Sequence, residues 1–180
     1  TCSVSSATMV EHQVAFSDAS WADNYEDATS HTGLCVLMGQ NLIQWKRVKQ
    51  KLRARSTMES EYIAIAHCVD EVIYVRDLML ELLNVGDTVG VSSSREEVVK
   101  GINDATHIYT DNHAAILVGN MTYDTRRSRH MNVRFHLVKD AIQRDIITLD
   151  YVPSDKNKAD FFTKCLGIFT FEHLRSKFMS

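Results

Sequence analysis

The chain has 180 residues, of which 44% are hydrophobic and 24% charged; these values are typical of one globular domain whose core needs no disulfide or structural metal. No apolar run approaches the ~20 residues of a membrane span, and no signal peptide is visible, so the sequence predicts no membrane partner. The formal net charge of −3, taken alone, argues against a nucleic-acid partner.

Charge is distributed unevenly along the chain. Residues 46–55 (KRVKQKLRAR) contain six basic side chains and no acid, and residues 126–134 (RRSRHMNVR) are also basic without an acid. Such segregation allows local binding of a polyanion by a chain that is weakly acidic overall.

The four cysteines, at positions 2, 35, 68 and 165, show no CxxC spacing. Cys68 falls in an apolar helical stripe, where a small buried thiol is expected. We therefore predict free thiols and a reducing, intracellular compartment. Because the chain opens at Thr1 rather than Met, we expect it to be part of a longer polypeptide.

The first half of the chain begins with an irregular lead-in over residues 1–12. HQVAFSDAS then predicts a strand that ends at Asp18, with Val14, Phe16 and Asp18 on one face. The next apolar segment, GLCVLMG, predicts a second strand, and NLIQWK follows so closely that we expect a hairpin.

Basic residues then occupy every second position: Arg47, Lys49, Lys51, Arg53 and Arg55. In an extended strand all five would point to the same side, with Val48, Leu52 and Ala54 on the other. One interpretation is a solvated edge strand protected from aggregation, and the other is a ridge that follows a phosphate backbone.

A long helix is predicted over residues 57–83, capped by Ser56 or Thr57. Its core face is predicted to contain Ile65, Cys68, Val72, Val75, Met79 and Leu82. Four residues before Ile65 lies Glu61, so this acid heads the stripe that faces the sheet. Glu59 points elsewhere, although only two residues separate these carboxylates.

The second half alternates strands and helices. Residues 84–106 predict a surface excursion with one short helix, followed by the strand HIYTD ending at Asp111 and a short helix in NHAAILVGNM. Further helices are predicted over residues 130–144, 156–166 and 169–178, with the strand IITLDYV before Pro153. This order of five strands and the helices between them predicts an α/β fold with a mixed sheet.

Three acids thus lie where strands or helices meet loops, namely Asp18, Glu61 and Asp111, and Asp160 follows in a late helix. Acids at strand ends are commonly turn formers, but their joint placement in this element order favours a clustered site. Clustered carboxylates raise one another's pKa, and divalent cations relieve that repulsion. Magnesium prefers such oxygen ligands and keeps several waters.

The chain resembles the ribonuclease H domains of copia-type (Pseudoviridae) LTR retrotransposon Pol polyproteins. The resemblance covers roughly residues 12–166 and rests on successive segments in order: VAFSDASWAD, SHTGLCVLMG, IQWKRVKQ, RSTMESEYIA, IYTDNHAAI, SRHMNVRFHLVKD and YVPSDKNKADFFTK. It implies a ribonuclease H-like fold over residues 13–168, in which a five-stranded mixed sheet, three antiparallel strands then two parallel, is flanked by helices. Residues 1–12 would be a lead-in, 84–106 a surface insertion and 169–180 a C-terminal helix or tail.

The resemblance also implies an activity: metal-dependent cleavage of the RNA strand of RNA–DNA hybrids during reverse transcription. Asp18, Glu61, Asp111 and Asp160 match the four metal-binding catalytic acids of the family. Asp18 and Asp111 would contact both of two Mg²⁺ ions, with Mn²⁺ as a substitute, and the products would have 5′-phosphate and 3′-hydroxyl ends. The implied partners are the hybrid and the reverse transcriptase domain of the same polyprotein, and the implied location is a cytoplasmic virus-like particle.

Recognition of RNA requires groups that contact its 2′-hydroxyl. Ser56 and Thr57 before the long helix, and Asn112 after Asp111, are candidates, and helix capping is an equal alternative for them. Candidates for contacts with the strand backbones are the alternating basic residues and a second group, Arg126, Arg127 and Arg129.

Other interpretations stay open. A ribonuclease H fold that only binds, as a scaffold beside a polymerase, is the main alternative, although such degenerate members usually lose an acid. A DDE-type integrase shares the fold, but a helix glutamate between the first two aspartates argues against it. A host protein derived from a retrotransposon is the remaining possibility. Many cellular relatives also have a histidine before the last helix, where PSDKN has none.

Overall fold

The computed structural model describes residues 12–23, 26–85, 94–121, 132–164 and 167–176. Within these ranges the chain forms one five-stranded sheet, with strands β1 (Gln13–Ser20), β2 (His31–Met38), β3 (Asn41–Lys49), β4 (Thr106–Thr110) and β5 (Ile147–Tyr151). The helices are α1 (Thr57–Val85), α2 (Ser94–Asn103), α3 (His113–Asn120), α4 (Asn132–Gln143), α5 (Asp160–Thr163) and α6 (Ile168–Ser176).

The strand order is β3-β2-β1-β4-β5. The first three strands pair antiparallel as a meander, in which a loop joins β1 to β2 and a two-residue turn joins β2 to β3, whereas β4 and β5 are parallel to β1 because helices provide the crossovers. The predicted mixed α/β sheet is therefore confirmed. β1 runs two residues past its predicted end, so Asp18 lies within the central strand and not at its last position.

One face of the sheet packs against α1, α3 and α4. Ala15, Ile108 and Ile147 of three neighbouring strands are almost completely buried there, as is Phe135 of α4. Because strand residues alternate between faces, Asp18 points to the opposite face from Ala15, where α5 contacts β1 and β2. The main core cluster thus lies on one side of the sheet, and Asp18 lies on the other side, beside α5.

The predicted core stripe of α1 is confirmed at Ile65, Cys68, Val72 and Val75, which are buried, while Met79 is partly buried. It is wrong at Leu82, whose side chain is 60% exposed. α1 has 29 residues and so extends about 43 Å, further than strands of this length can cover. Its last turns therefore leave the sheet.

The prediction of one extended strand carrying five basic residues is wrong. β3 ends at Lys49, and the buried Gln50 turns the chain away, because its Nε2 donates to Thr32 Oγ1 at 3.0 Å and to the Ser60 carbonyl at 3.0 Å. Arg47 and Lys49 lie on the strand, whereas the other three basic residues, Lys51, Arg53 and Arg55, belong to the loop before α1.

The late helix predicted over residues 156–166 is also shorter than expected. A single 3₁₀ turn at Ser154–Lys156 is followed by α5, which has four residues and begins at Asp160. Between them, the buried Asn157 donates from Nδ2 to the Ser17 carbonyl at 3.0 Å and accepts from the Ala159 amide at 3.1 Å. These side-chain bonds replace a helical turn and fasten the segment to β1.

The segment predicted as a surface excursion contains α2, which contacts α1 and buries Ile102. α6 spans the predicted domain boundary at residue 168, and residues 1–11 of the lead-in lie outside the described ranges. The domain boundaries stay predictions. No helix in the described part of the chain is long and apolar enough to cross a membrane.

Candidate active site

Three of the four predicted acids converge. Asp18 from β1, Glu61 from α1 and Asp111 after β4 each place a carboxylate oxygen within 4.8 Å of the others. Asp18 and Glu61 are buried, with 1% and 7% of their surfaces exposed, and Asp111 is half-buried. Carboxylates this close need a cation or protons, since their mutual repulsion is strong in a poorly solvated site.

Sheet register brings the two aspartates together. β1 and β4 are parallel neighbours in which Phe16 pairs with Tyr109, so Asp18 and Asp111, each two residues further on, reach the same level. Adjacent strands lie about 4.8 Å apart. Asp111 also accepts a hydrogen bond from Ser154 Oγ, which links it to the segment after β5.

Glu61 enters this cluster from the second turn of α1. Its Oε2 is buried and has no hydrogen-bond partner within the described ranges. Burial, together with the charges of Asp18 and Asp111, raises the pKa of Glu61 to about 9. Glu59 instead accepts the Arg55 amide at 2.8 Å and donates its own amide to Ser56 Oγ at 3.2 Å, which is a capping arrangement. The two carboxylates therefore have separate environments, as their helical phase predicts.

Asp160 lies at the first position of α5, with 8% of its surface exposed, beside Asp18. Its Oδ1 accepts from Lys164 Nζ at 2.7 Å, and the same ammonium lies 3.8 Å from Asp18 Oδ2. Thr163 Oγ1 donates to Asp18 Oδ2. The sequence reasoning did not assign roles to Thr163 and Lys164, although their positions three and four residues after Asp160 place them on one helical face.

These contacts shift the acid–base properties of the site. Burial raises the pKa of Asp18 to about 6; the Thr163 hydrogen bond opposes this shift and the charge of Asp160 adds to it. Burial lowers the pKa of Lys164, but the hydrogen bond to Asp160 and the charge of Asp18 outweigh burial and raise it above its usual value. In the metal-free chain, Asp18 and Glu61 therefore bind protons more tightly than ordinary carboxyl groups do.

Close packing holds α5 against the sheet. A Cβ on Gly33, which pairs with Asp18 in the sheet, would lie 2.5 Å from Thr163 Cγ2 and 2.9 Å from the Ala159 carbonyl oxygen. Only glycine permits this approach. Arg47 Nη1 also donates to the Phe162 carbonyl at 3.3 Å, so a residue predicted to contact nucleic acid contributes to α5 docking.

The three candidates for 2′-hydroxyl recognition all lie at helix starts. Ser56 Oγ accepts the Glu59 amide, Thr57 is the first residue of α1, and Asn112 Oδ1 accepts the Ala115 amide at 3.0 Å. The structure thus shows the capping interactions of Ser56 and Asn112, both close in sequence to site acids.

Much of the basic segment is paired with the loop between β1 and β2. Lys49 Nζ lies 2.6 Å from Asp27 Oδ2, Arg47 lies 3.9 Å from Asp23, and Arg53 donates to the Asp27 carbonyl at 2.6 Å. Lys51 and Arg55 have exposed side chains. The other predicted basic group, Arg126, Arg127 and Arg129, lies outside the described residues.

The donor set fits magnesium. It consists of carboxylate oxygens, the ligands that this hard cation prefers, and one of them, Glu61 Oε2, is buried without a hydrogen-bond partner among the residues that the structure describes. Asp160 contacts the cluster through Lys164 and is not among the three acids that meet within 4.8 Å.

No family model matches the chain. Among curated proteins, it is 30% identical over 164 residues to the retrovirus-related Pol polyprotein from transposon RE1 of Arabidopsis thaliana, covering 91% of this chain and 10% of that protein. The corresponding polyprotein from transposon RE2 of the same plant is 29% identical over 164 residues, with the same coverage. The chain thus spans about a tenth of the length of these relatives.

Among solved structures, the N-terminal RNase H domain of a Mycobacterium tuberculosis protein, determined as a fusion with maltose-binding protein, aligns with a TM-score of 0.53 at 10% identity and covers 92% of this chain and 97% of that chain. A foamy viral protease-reverse transcriptase in complex with an RNA/DNA hybrid aligns with a TM-score of 0.50 at 10% identity, covering 82% of this chain and 18% of that chain. The chain is therefore similar to one segment of retrovirus-related Pol polyproteins, and its fold is that of ribonuclease H.

Proposed function

We propose that this chain is the ribonuclease H domain of a retrotransposon polyprotein and cleaves the RNA strand of RNA–DNA hybrids. The observation that carries the proposal is the convergence of Asp18, Glu61 and Asp111 from three separate elements, with Asp160 adjacent. Homology to Pol polyproteins supports the biological setting, and the foamy viral enzyme bound to a hybrid offers a precedent on the same fold.

The four acids would hold two Mg²⁺ ions, with Mn²⁺ as a substitute. When bound, the ions would supply an activated water and stabilise charge on the leaving oxygen, so the products would have 5′-phosphate and 3′-hydroxyl ends. Glu61 offers an oxygen with no competing hydrogen bond, and Thr163 orients the Asp18 carboxylate through its hydroxyl.

A bound hybrid would contact the protein surface around these acids. Ser56, Thr57 and Asn112 begin the helices beside Glu61 and Asp111, so backbone amides and small polar side chains could reach a 2′-hydroxyl there. The exposed Lys51 and Arg55 could contact a phosphate backbone, whereas Arg47 and Lys49 have protein partners.

The biological task would be removal of the RNA template after first-strand synthesis. The domain would then act beside the reverse transcriptase domain of its own polyprotein, inside a cytoplasmic virus-like particle. The main alternative is a catalytically silent domain that binds nucleic acid or a polymerase partner. The internal pairing of Arg47, Lys49 and Arg53 leaves fewer basic groups to bind a hybrid, so it favours the form of this alternative that binds a polymerase partner.

The test is cleavage of an end-labelled RNA–DNA hybrid with Mg²⁺ or Mn²⁺ by the native chain and by Asp111→Asn. We expect the native chain to cut the RNA strand and the variant to lose at least about 100-fold of the rate, because an amide neither neutralises nor holds a cation as a carboxylate does. Asp140→Asn is the control, since Asp140 is an exposed acid of α4 paired with Arg144.

Duplex DNA should stay intact in every reaction. The RNA products should be ligatable through their 5′-phosphate ends. Binding of the hybrid without cleavage, with either metal, would favour the silent domain. Equal rates for native chain and Asp111→Asn would exclude the proposed site.

A further inference from the structure

Lys164 forms ion pairs with two acids of the cluster, Asp160 and Asp18. Its Nζ hydrogen-bonds Asp160 Oδ1 at 2.7 Å and lies 3.8 Å from Asp18 Oδ2. Both carboxylates are buried, whereas the Lys164 side chain is 43% exposed. An ammonium thus reaches from solvent onto two acids that would ligate metal.

These oxygens are the same donors that a divalent cation would use. An ammonium and a divalent cation repel strongly at such distances in a partly buried site, so both cannot occupy this place together. Lysine has a flexible four-carbon stem and three rotatable donors, and half of this side chain already contacts solvent, so it can leave without unfolding its surroundings.

When no metal is bound, the ammonium group of Lys164 balances part of the negative charge of the acid cluster. Asp18, Glu61 and Asp111 lie within 4.8 Å of one another, and Asp160 adds a fourth carboxyl group. Within the described ranges, the ion pairs of these acids involve Lys164 alone. Thr163 and Asn157 hold the same segment through hydrogen bonds from uncharged side chains, so the charge of Lys164 is not required simply to dock α5.

We propose that Lys164 is a built-in counter-ion that competes with divalent metal for Asp160: it bridges Asp160 and Asp18 in the metal-free chain and leaves Asp160 when the ion binds. This inference rests on the proposed function for the identity of the metal site. It assigns Lys164 a positioning role, in which the residue sets how much metal is needed before Asp160 becomes a ligand.

The test measures metal binding directly, without substrate. Calorimetric titration of Mn²⁺ into the native chain, Lys164→Met and Lys164→Arg is compared with the same series carrying Asp160→Asn. We expect Lys164→Met to bind Mn²⁺ about 3- to 30-fold more tightly, because the competitor is absent, and Lys164→Arg to restore affinity toward the native value. With Asp160→Asn present, the Lys164→Met effect should shrink to under about 2-fold.

A second measurement avoids dependence on the methionine variant. In the native chain labelled with ¹³C-lysine, the Lys164 Cε resonance, assigned by its loss in Lys164→Arg, should move toward the position of solvent-exposed lysines on addition of Mg²⁺. An unmoved resonance at saturating Mg²⁺, or unchanged or weaker Mn²⁺ affinity in a folded Lys164→Met, would overturn the proposal. If Lys164 competes with Mn²⁺ in a chain that does not cleave the hybrid, the counter-ion role is supported and only the proposed function is rejected.

Discussion

Two glutamates at the start of α1 illustrate how position on a helix separates roles. Glu61 is buried against Asp18 and Asp111, whereas Glu59 caps the helix through the Arg55 amide. The two side chains are chemically identical and lie two residues apart, about 200° around the helix axis. The direction in which each side chain leaves the helix therefore distinguishes a candidate metal ligand from a structural residue.

Substitution of these residues gives a matched pair. Glu61→Gln should weaken Mn²⁺ binding by at least about 10-fold while leaving the fold intact, because the amide is isosteric with the protonated carboxyl group but is a poorer cation ligand than a carboxylate. Glu59→Gln should leave Mn²⁺ binding unchanged and lower the free energy of unfolding by about 0.5–1 kcal/mol through a weaker cap. Titration calorimetry and urea unfolding measure the two effects, and a reversed pattern would contradict the assignment of Glu61.

At the scale of elements, α5 is too short to be stable alone and depends on its docking. Four residues cannot form a stable isolated helix, so the Asn157 bonds and the close approach at Gly33 must position Asp160 and Thr163. The site is therefore sensitive to residues on β2 that never contact metal or substrate.

Gly33→Ala tests this dependence. The new Cβ would meet Thr163 Cγ2 and the backbone of Ala159, so α5 must shift, at a cost of about 1–3 kcal/mol in the free energy of unfolding. We also expect weaker Mn²⁺ binding and slower hybrid cleavage. Gly167→Ala is the control, since nothing lies within 4 Å of its added Cβ. Equal thermal denaturation midpoints and metal affinities for the two variants would show that the contact at Gly33 is unimportant.

The loop between β1 and β2 covers part of the basic surface with acids. Hydrogen bonds from Lys49 and Thr29 outweigh the small effect of burial and hold the pKa of Asp27 below its usual value, so this carboxylate stays charged and paired with Lys49. The alternating basic residues thus form part of the fold before they meet any substrate.

Asp27→Asn should release Lys49 for phosphate contact. We expect hybrid affinity at low salt to rise about 2- to 10-fold, and the slope of log affinity against log salt to steepen by about 0.9 if one phosphate contact is gained. Asp140→Asn changes net charge equally at a distant exposed pair and is the control. Fluorescence anisotropy over a salt series measures both, and equal affinities for the two variants would argue that Lys49 does not contact the hybrid.

For the whole molecule, the site is a source of instability until a cation binds. The pKa of Asp18 is raised to about 6 and that of Glu61 to about 9, so the folded state binds protons more tightly than the unfolded chain. Their contribution to stability is complete below the unfolded values near pH 4 and is lost as pH rises through 6 and 9. Function and stability thus oppose each other in this domain.

This opposition predicts a pH dependence for the metal-free chain. Between about pH 5.5 and 8.5 the free energy of unfolding should fall by roughly 1 kcal/mol per pH unit, owing chiefly to Glu61. The double variant Asp18→Asn with Glu61→Gln should lose most of this slope, and Mn²⁺ should restore stability to the native chain at high pH. Chemical unfolding at several pH values measures the slope; identical slopes for native chain and double variant would contradict the prediction.

The element order, the mixed sheet and the orientation of Glu61 rather than Glu59 toward the sheet could all be predicted from the amino-acid sequence, because strand and helix periodicities are local properties of the chain. It also placed Asp18, Asp111 and Asp160 where the structure finds them near one another. Three features could not be predicted without the tertiary structure. β3 ends at Lys49, the Leu82 side chain lies outside the core, and α5 has only four residues. Gln50, Asn157 and Gly33 control much of this through contacts between residues distant in sequence, and the bridge from Lys164 to Asp18 likewise forms only when α5 docks on β1.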